Sequence, residues 1–413
     1  VRAERYAWDL ADARAAARGH APELRRARRA VREARGEAAS SWNLLLPDLA
    51  LGTSLSRSMF AEEAPSPWTA GVSASASIGL SPALDERIRS RHLAEEAAAL
   101  EERRVAVQLE REVRERFYAV LLARRRVSIA ERNAALAAQQ LERARVLYEQ
   151  GRASRLDLLD ARAAEIARRP ELLTRRQDLF AELAALKELT GLEPTDELSV
   201  EGRIPVPEID LGEAELRATV LAESLELRAA RLALERSTRS RSITYRDTKL
   251  PRLSASYDYS PRVSPPFDGE RWGGADTWRT GSLAVRLTIP LDPLIPRSAG
   301  DNDVRAAAGA VERARIDLAE TEGGIARRAS ELARSVEVSR ERLTLLGEAL
   351  EIAEARYRET LTVYESGGVD SLDVEDARAA LEEAELALLQ ERYTLAVTVS
   401  ELDELAGGTI LED

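Results

Sequence analysis

"YESGGVDSLDVEDAR", Tyr364–Arg378, occurs twice in this chain in recognisable form. The earlier copy is "YEQGRASRLDLLDAR", Tyr148–Arg162, at a constant offset of 216 residues. Tyr, Glu, Gly, Leu, two Asp, Ala and Arg keep their places without a gap. Glycine supplies the left-handed residue on which a helix stops. With helical sequence on both sides, each copy predicts a helical hairpin, its reversal at about 150–154 and again at about 366–370.

The duplication extends outward. "HAPELRRARRAVREAR", His20–Arg35, matches "ESLELRAARLALERST", Glu223–Thr238, and "LPDLALGTSLSRS", Leu46–Ser58, matches "LPRLSASYDYSPR", Leu250–Arg262. Trp68 and Gly71 match Trp278 and Gly281. Each half reads helix, two strands, long helix, glycine turn, helix. The first repeat covers 1–190 and the second 213–413, joined by a Pro- and Gly-rich linker at 191–212. A repeat this long indicates duplication and pseudo-symmetry more than a solenoid.

Composition narrows the classes. Charged residues make up 32% and aromatics 4%, too polar for one large compact core and typical of long helices. A net charge of −12 argues against nucleic acid as a partner, since phosphate binding needs a basic face. The absence of cysteine excludes disulfides, thiolate metal sites and thiol nucleophiles. His20 and His92 lie far apart and read as surface residues, so no metal and no cofactor is expected. The opening "VRAERYAWDLADAR" has no signal-peptide core, and in an exported protein the numbering is expected to begin after cleavage.

From Ala83 to Tyr148 there is neither proline nor glycine, which predicts one helix of roughly 100 Å. Leu343, Leu346, Leu350, Ala353, Tyr357, Leu361 and Tyr364 form a narrow coiled-coil seam. Helices with one seam and wet flanks should pack side by side. Pro170, inside the helix after the first turn, is expected to kink or split it.

The strands, at about 46–58, 70–80, 250–260 and 281–291, alternate at period two. "GVSASASIGL" sets Val72, Ala74, Ala76, Ile78 and Leu80 against serines; "SLAVRLTIPL" sets Leu283, Val285, Leu287 and Ile289 against Arg286 and Thr288. About ten residues is the length that crosses a bilayer when tilted. Trp42, Trp68, Trp272 and Trp278 lie near strand ends, where membrane barrels keep interfacial aromatics. Four strands cannot close a passage, and open edges are not tolerated in lipid. Copies must therefore share strands, eight from two chains or twelve from three; strand physics alone does not choose.

In this order the elements resemble the TolC-like outer membrane efflux family over nearly the whole chain. The resemblance implies a mainly α fold with a membrane β-barrel part: a homotrimer with a twelve-stranded barrel in outer membrane lipid and a twelve-helix periplasmic tunnel. It implies an exit duct for tripartite efflux or type I secretion, fed by an inner-membrane pump and a periplasmic adaptor. Two carboxylates of the second repeat, here Asp373 and Asp376, are implied to ring the tunnel mouth, and Tyr364 to bond Asp157. Asp157 and Asp160 are their first-repeat counterparts. An arginine that some members carry two residues past the second glycine is replaced by Val369, which leaves the latch either weaker or made by Arg152 or Arg155. Capping competes for the acids: Ser154 with Asp157, and Asp370 with Asp373, have capping-box spacing. Gly151, Arg152, Ala153, Gly367, Gly368 and Val369 are short or exposed and expected to meet the adaptor. The Pro- and Gly-rich stretch 260–278 is expected to be the larger outward loop.

No phosphate loop, Gly-x-Ser-x-Gly, metal-ligand cluster or His beside a nucleophile is present, so the chain does not read as an enzyme. The rival reading is a soluble periplasmic coiled-coil scaffold or adaptor subunit.

Overall fold

The computed structural model describes residues 5–57, 68–207, 212–263, 280–366, 369 and 371–411. The chain divides into two compact units. One comprises Val1–Arg28, Leu100–Arg228 and Glu320–Asp413, the other Arg29–Ala99 and Ala229–Ala319.

The helices are α1 (Leu10–His20), α2 (Pro22–Ala39), α3 (Leu84–Glu149), α4 (Arg155–Thr190), α5 (Glu213–Glu223), α6 (Leu225–Lys249), α7 (Ala299–Glu365) and α8 (Ser371–Leu405). The repeat is visible in how they break. α1 gives way to α2 at Ala21, φ −54° and ψ 119°, and α5 gives way to α6 at Ser224, φ −53° and ψ 120°. Two helices are very long, 66 residues in α3 and 67 in α7, because nothing in either sequence stops them before the tip.

α4 runs unbroken through Pro170, contrary to the expected split. Proline removes one N–H and frees the carbonyl four residues back. That residue, Ile166, is more than half exposed, so water can reach the freed group. Thr174 Oγ1 also donates to the Pro170 carbonyl at 3.0 Å.

The second unit holds an antiparallel sheet of β2 (Asp48–Arg57), β3 (Trp68–Leu80), β5 (Arg252–Tyr259) and β7 (Gly281–Thr288), in that order, with the short β6 (Arg262–Val263) against β3. Its register sorts the side chains. Leu49, Ala76, Tyr257 and Leu283 form one cross-strand row; Ile78, Ala255 and Val285 another; Leu80, Leu253 and Leu287 a third. The alternate rows are Ser77–Ser256–Ala284, Ser75–Asp258–Ser282 and Gly79–Ser254–Arg286. One face is therefore apolar and the other polar, and the apolar face is bare: Leu51 is 80% exposed and Leu283 75%. Much of the stretch 260–278 lies outside the described residues.

The first unit has a true core. Ala13, Ala17 and Leu24 pack with Val113, Phe117 and Val120 of α3, Leu186 of α4 and Ala396 of α8. Two strands unforeseen in the sequence complete it. β1 (Arg5–Trp8) pairs in parallel with β4 (Glu197–Val200). Within 191–207, the described part of the expected linker, Val200 and Ile204 are thus buried against this unit. Arg114 meets Asp403 at 2.9 Å in this core, and the same carboxylate accepts from the Ile410 and Leu411 amides at 3.0 Å each.

Candidate functional site: helix tips, helix edges and an amphipathic sheet

At the first tip the chain reverses in a few residues. Gly151 takes φ 72°, its N–H donates to Tyr148 O at 2.9 Å, and Arg152 N–H donates to Leu147 O at 2.8 Å. This nested pair closes the last carbonyls of α3 and requires a left-handed residue, which explains the glycine. Ser154 then caps α4. Asp157 N–H donates to Ser154 Oγ at 3.1 Å, and Ser154 N–H donates to Asp157 Oδ2 at 2.8 Å. The Ser154 amide first, and the Ser154 hydroxyl second, hold the Asp157 carboxyl below its ordinary pKa. Among the described residues, Tyr364 makes no bond to Asp157 within one chain, and Asp157 carries its capping bonds instead.

At the second tip, α7 ends at Glu365 and α8 begins at Ser371. Gly367, Gly368 and Asp370 lie outside the described residues, so the adaptor-docking and capping roles expected of them are not visible. Asp373, Asp376, Asp157 and Asp160 are all exposed, Tyr364 is 41% exposed, Arg152 is exposed, and Ala153 and Val369 are half-buried. Glu375, between the two predicted gate acids, instead accepts from Gln140 of α3. The sequence reading passed over it because Asp373 and Asp376 match the repeat and Glu375 does not.

Ion pairs and hydrogen bonds set the helices in series. Arg176 of α4 meets Glu131 of α3 at 2.7 Å; Arg132 of α3 meets Glu382 of α8 at 3.4 Å; Arg328 of α7 pairs with Glu401 of α8. The order is α4, α3, α8, α7. The outer two carry exposed apolar residues at heptad spacing. On α4 these are Leu159, Ile166, Leu173 and Phe180, on α7 Val338, Leu345 and Ile352. Phe180 is 70% exposed. A seven-residue apolar repeat is the seam of a coiled coil, and among the described residues no helix of the same chain covers it. The sequence reading found the other stripe of α7, Leu343 to Tyr364, and missed these; the signal was present as a second period-seven phase.

Trp42 is 56% exposed just before β2, and Trp68 opens β3 at the opposite end of that hairpin. The Arg57 guanidinium lies 5.6 Å from the Trp68 ring centroid, a cation–π distance. Trp272 and Trp278 lie outside the described residues. Among the described residues no helix is long and apolar enough to cross a membrane.

A bare apolar sheet and long polar helices in one chain are the two parts that the β-barrel and helix-tunnel channels of outer membranes combine. Solved structures agree on the fold. The CmeC outer membrane channel of Campylobacter jejuni matches at TM-score 0.82 and 15% identity, over 98% of this chain and 87% of that one. VceC of Vibrio cholerae, an outer membrane protein, matches at 0.74 and 17%, over 97% and 96%. The open state of the MtrE outer membrane channel of Neisseria gonorrhoeae matches at 0.77 and 16%, over 97% and 89%. Among curated proteins, none matches in sequence. The family model for outer membrane efflux proteins matches residues 13–192 and 216–408. The chain belongs to the outer membrane efflux protein family; it is an outer membrane channel protein with a periplasmic part.

Proposed function

We propose that this protein is the passive exit duct of a tripartite efflux or type I secretion system, working as a homotrimer. The observation that carries the reading is the sheet of β2, β3, β5 and β7. One face is apolar and exposed, and β2 and β7 each have one edge with no strand partner among the described residues. Unpaired backbone groups are costly in lipid, so the edges must be met by neighbouring copies. Three copies supply twelve strands. The heptad stripes on α4 and α7 support the same closure, because pairing α4 of one copy with α7 of the next covers both. The polar face of the sheet then lines the passage.

In this reading the helix tips face the periplasm and form the gate. Asp373 and Asp376, three apart and exposed, supply six carboxylates around one mouth. A single ion pair at 4 Å is worth about 1 kcal/mol in water, but a ring of acids sums its field over a permeating cation. Gly151, Arg152, Ala153, Gly367, Gly368 and Val369 form the surface that meets the periplasmic adaptor, through which an inner-membrane pump delivers cargo.

Planar-bilayer recording of protein extracted from outer membranes tests the reading. A three-chain particle with steady conductance and cation preference is expected, and the preference should vanish in Asp373→Asn/Asp376→Asn. A water-soluble particle without conductance overturns the duct. Conductance with selectivity untouched by the double variant overturns the acidic ring alone.

A further inference from the structure

A cavity of about 750 Å³ opens on the first unit between α3, α7, α8 and the residues that follow β4. Its walls hold Arg124, Arg125, Arg203 and Arg392 together with Glu201 and Glu385. Arg125 is neutralised by Glu385. Arg124 donates to the Val200 carbonyl at 2.8 Å, a neutral acceptor that leaves its charge unbalanced. Arg203 and Arg392 make no hydrogen bond or ion pair among the described residues. Three guanidinium charges thus face one unpaired carboxylate, Glu201, in a chain whose net charge is −12. The floor is apolar, built from Leu121, Ile204 and Leu388.

The wall is built to stand where it does. Gly202 takes φ 144°, open only to glycine, and a Cβ there would lie 3.7 Å from the Phe117 ring. This lets the backbone after β4 lie against α3. The cavity draws most of its lining from α3 and α8, the inner members of the helix series, and from α7 takes only Leu350, which is not a residue of the exposed stripe.

We infer that this cavity docks an acidic peptide segment of a partner protein. Guanidinium groups recognise carboxylates through paired N–H donors. Here they stand around an apolar floor, which suits an extended segment alternating acidic and apolar side chains. A free inorganic anion would satisfy the arginines and leave the floor wet. Densely charged phosphates would also meet the carboxylates of Glu201 and Glu385. The volume lies within the range of sites that take drug-sized ligands, room for a few side chains of such a segment.

The probe is a fluorescein-labelled octapeptide of alternating Glu and Leu, read by anisotropy against the full chain in detergent, with empty micelles as blank. Saturable binding that weakens with salt is expected. Loss of two charge-assisted bonds in Arg203→Glu/Arg392→Glu should weaken it at least about tenfold. The milder Arg203→Gln/Arg392→Gln should fall between, with the far-ultraviolet dichroism of both variants unchanged. Arg26→Glu, an exposed arginine of α2 outside the lining, should bind as the wild type does. The inference fails if the peptide does not saturate, if a Gln–Leu octapeptide binds equally, or if charge reversal has no effect. Displacement by millimolar phosphate would reassign the cavity to small anions and overturn the peptide.

Discussion

Replacing Arg114 by Met should be among the most damaging single changes in the first unit. Arg114 and Asp403 side chains are 7% and 4% exposed, and their atoms meet at 2.9 Å. Removing one member of a buried ion pair leaves the other charge without its partner and costs about 3–5 kcal/mol. Asp403 is not wholly stranded, because the Ile410 and Leu411 amides still donate to Oδ1, which places Arg114→Met nearer the lower figure. Arg114→Met/Asp403→Leu removes both charges and should recover part of the loss, since apolar replacements of buried pairs are often close to neutral. It also takes the acceptor from two amides, at about 1 kcal/mol each. Guanidinium unfolding followed by dichroism gives the energies, and hydrogen exchange at Ile410 and Leu411 separates the parts. Exchange there should rise about fivefold in the double variant and stay near wild type in Arg114→Met. A loss below about 1 kcal/mol in Arg114→Met, or a double variant worse than the single, refutes the buried-pair argument.

Leu51→Arg places a charge on the apolar face of β2 and should cost about 2–4 kcal/mol at mid-membrane, whereas Ser75→Arg on the opposite face should be tolerated; the yield of heat-resistant oligomer from outer membranes distinguishes them, and equal yields would refute the facing. Gly191→Ala should destabilise by about 1–2 kcal/mol from backbone strain alone at φ 74°. Its Cβ would also lie 2.6 Å from the Cβ of His20, and the collision reaches into the His20 ring. His20→Ala should therefore relieve only the part of the loss due to the ring, and melting of the three variants checks it. Burial raises the pKa of Glu110, but hydrogen bonds and charge from Arg14 and Arg18 outweigh it and hold the carboxyl below its ordinary value. Its stabilisation is then complete above the unfolded glutamate value of about 4.3 and drains as pH falls through the lowered folded one. Glu110→Gln should trail the wild type at neutral pH and approach it in acid; a gap unchanged by acidification would refute this.

The long elements were legible because their signals are periodic and local. Sixty-odd residues without a breaker wrote α3, and period-two alternation wrote β3 and β7. The glycine turn at Gly151 and the Ser154 capping box follow from residue type and spacing, and they stand as read. β1 and β4 were not legible. Each is four residues long and pairs across nearly two hundred positions, so no window of sequence holds the partner. The Arg-lined cavity was hidden for the same reason: its arginines come from three separated stretches and look like solvated helix charge until β4 brings Arg203 beside α3. The split expected at Pro170 does not occur, because a proline's local cost was weighed without the surroundings; on an exposed helix face, water can reach the carbonyl that the missing N–H leaves.

In the proposed duct the gate and the closure rest on different physics, and that difference gives them different vulnerability. There, closure by copies follows from extended surface: two strand edges without partners among the described residues and two uncovered heptad stripes. No single side chain decides it. The gate depends on a few exposed carboxylates whose mutual repulsion is screened by salt, so its bias should be small per residue and steep in ionic strength. Raising salt should therefore abolish cation preference at the tips well before it disturbs the proposed trimer. If selectivity and assembly instead fade together as salt rises, the carboxylates are holding the particle shut and together, and the separation of roles drawn from these two kinds of surface is wrong.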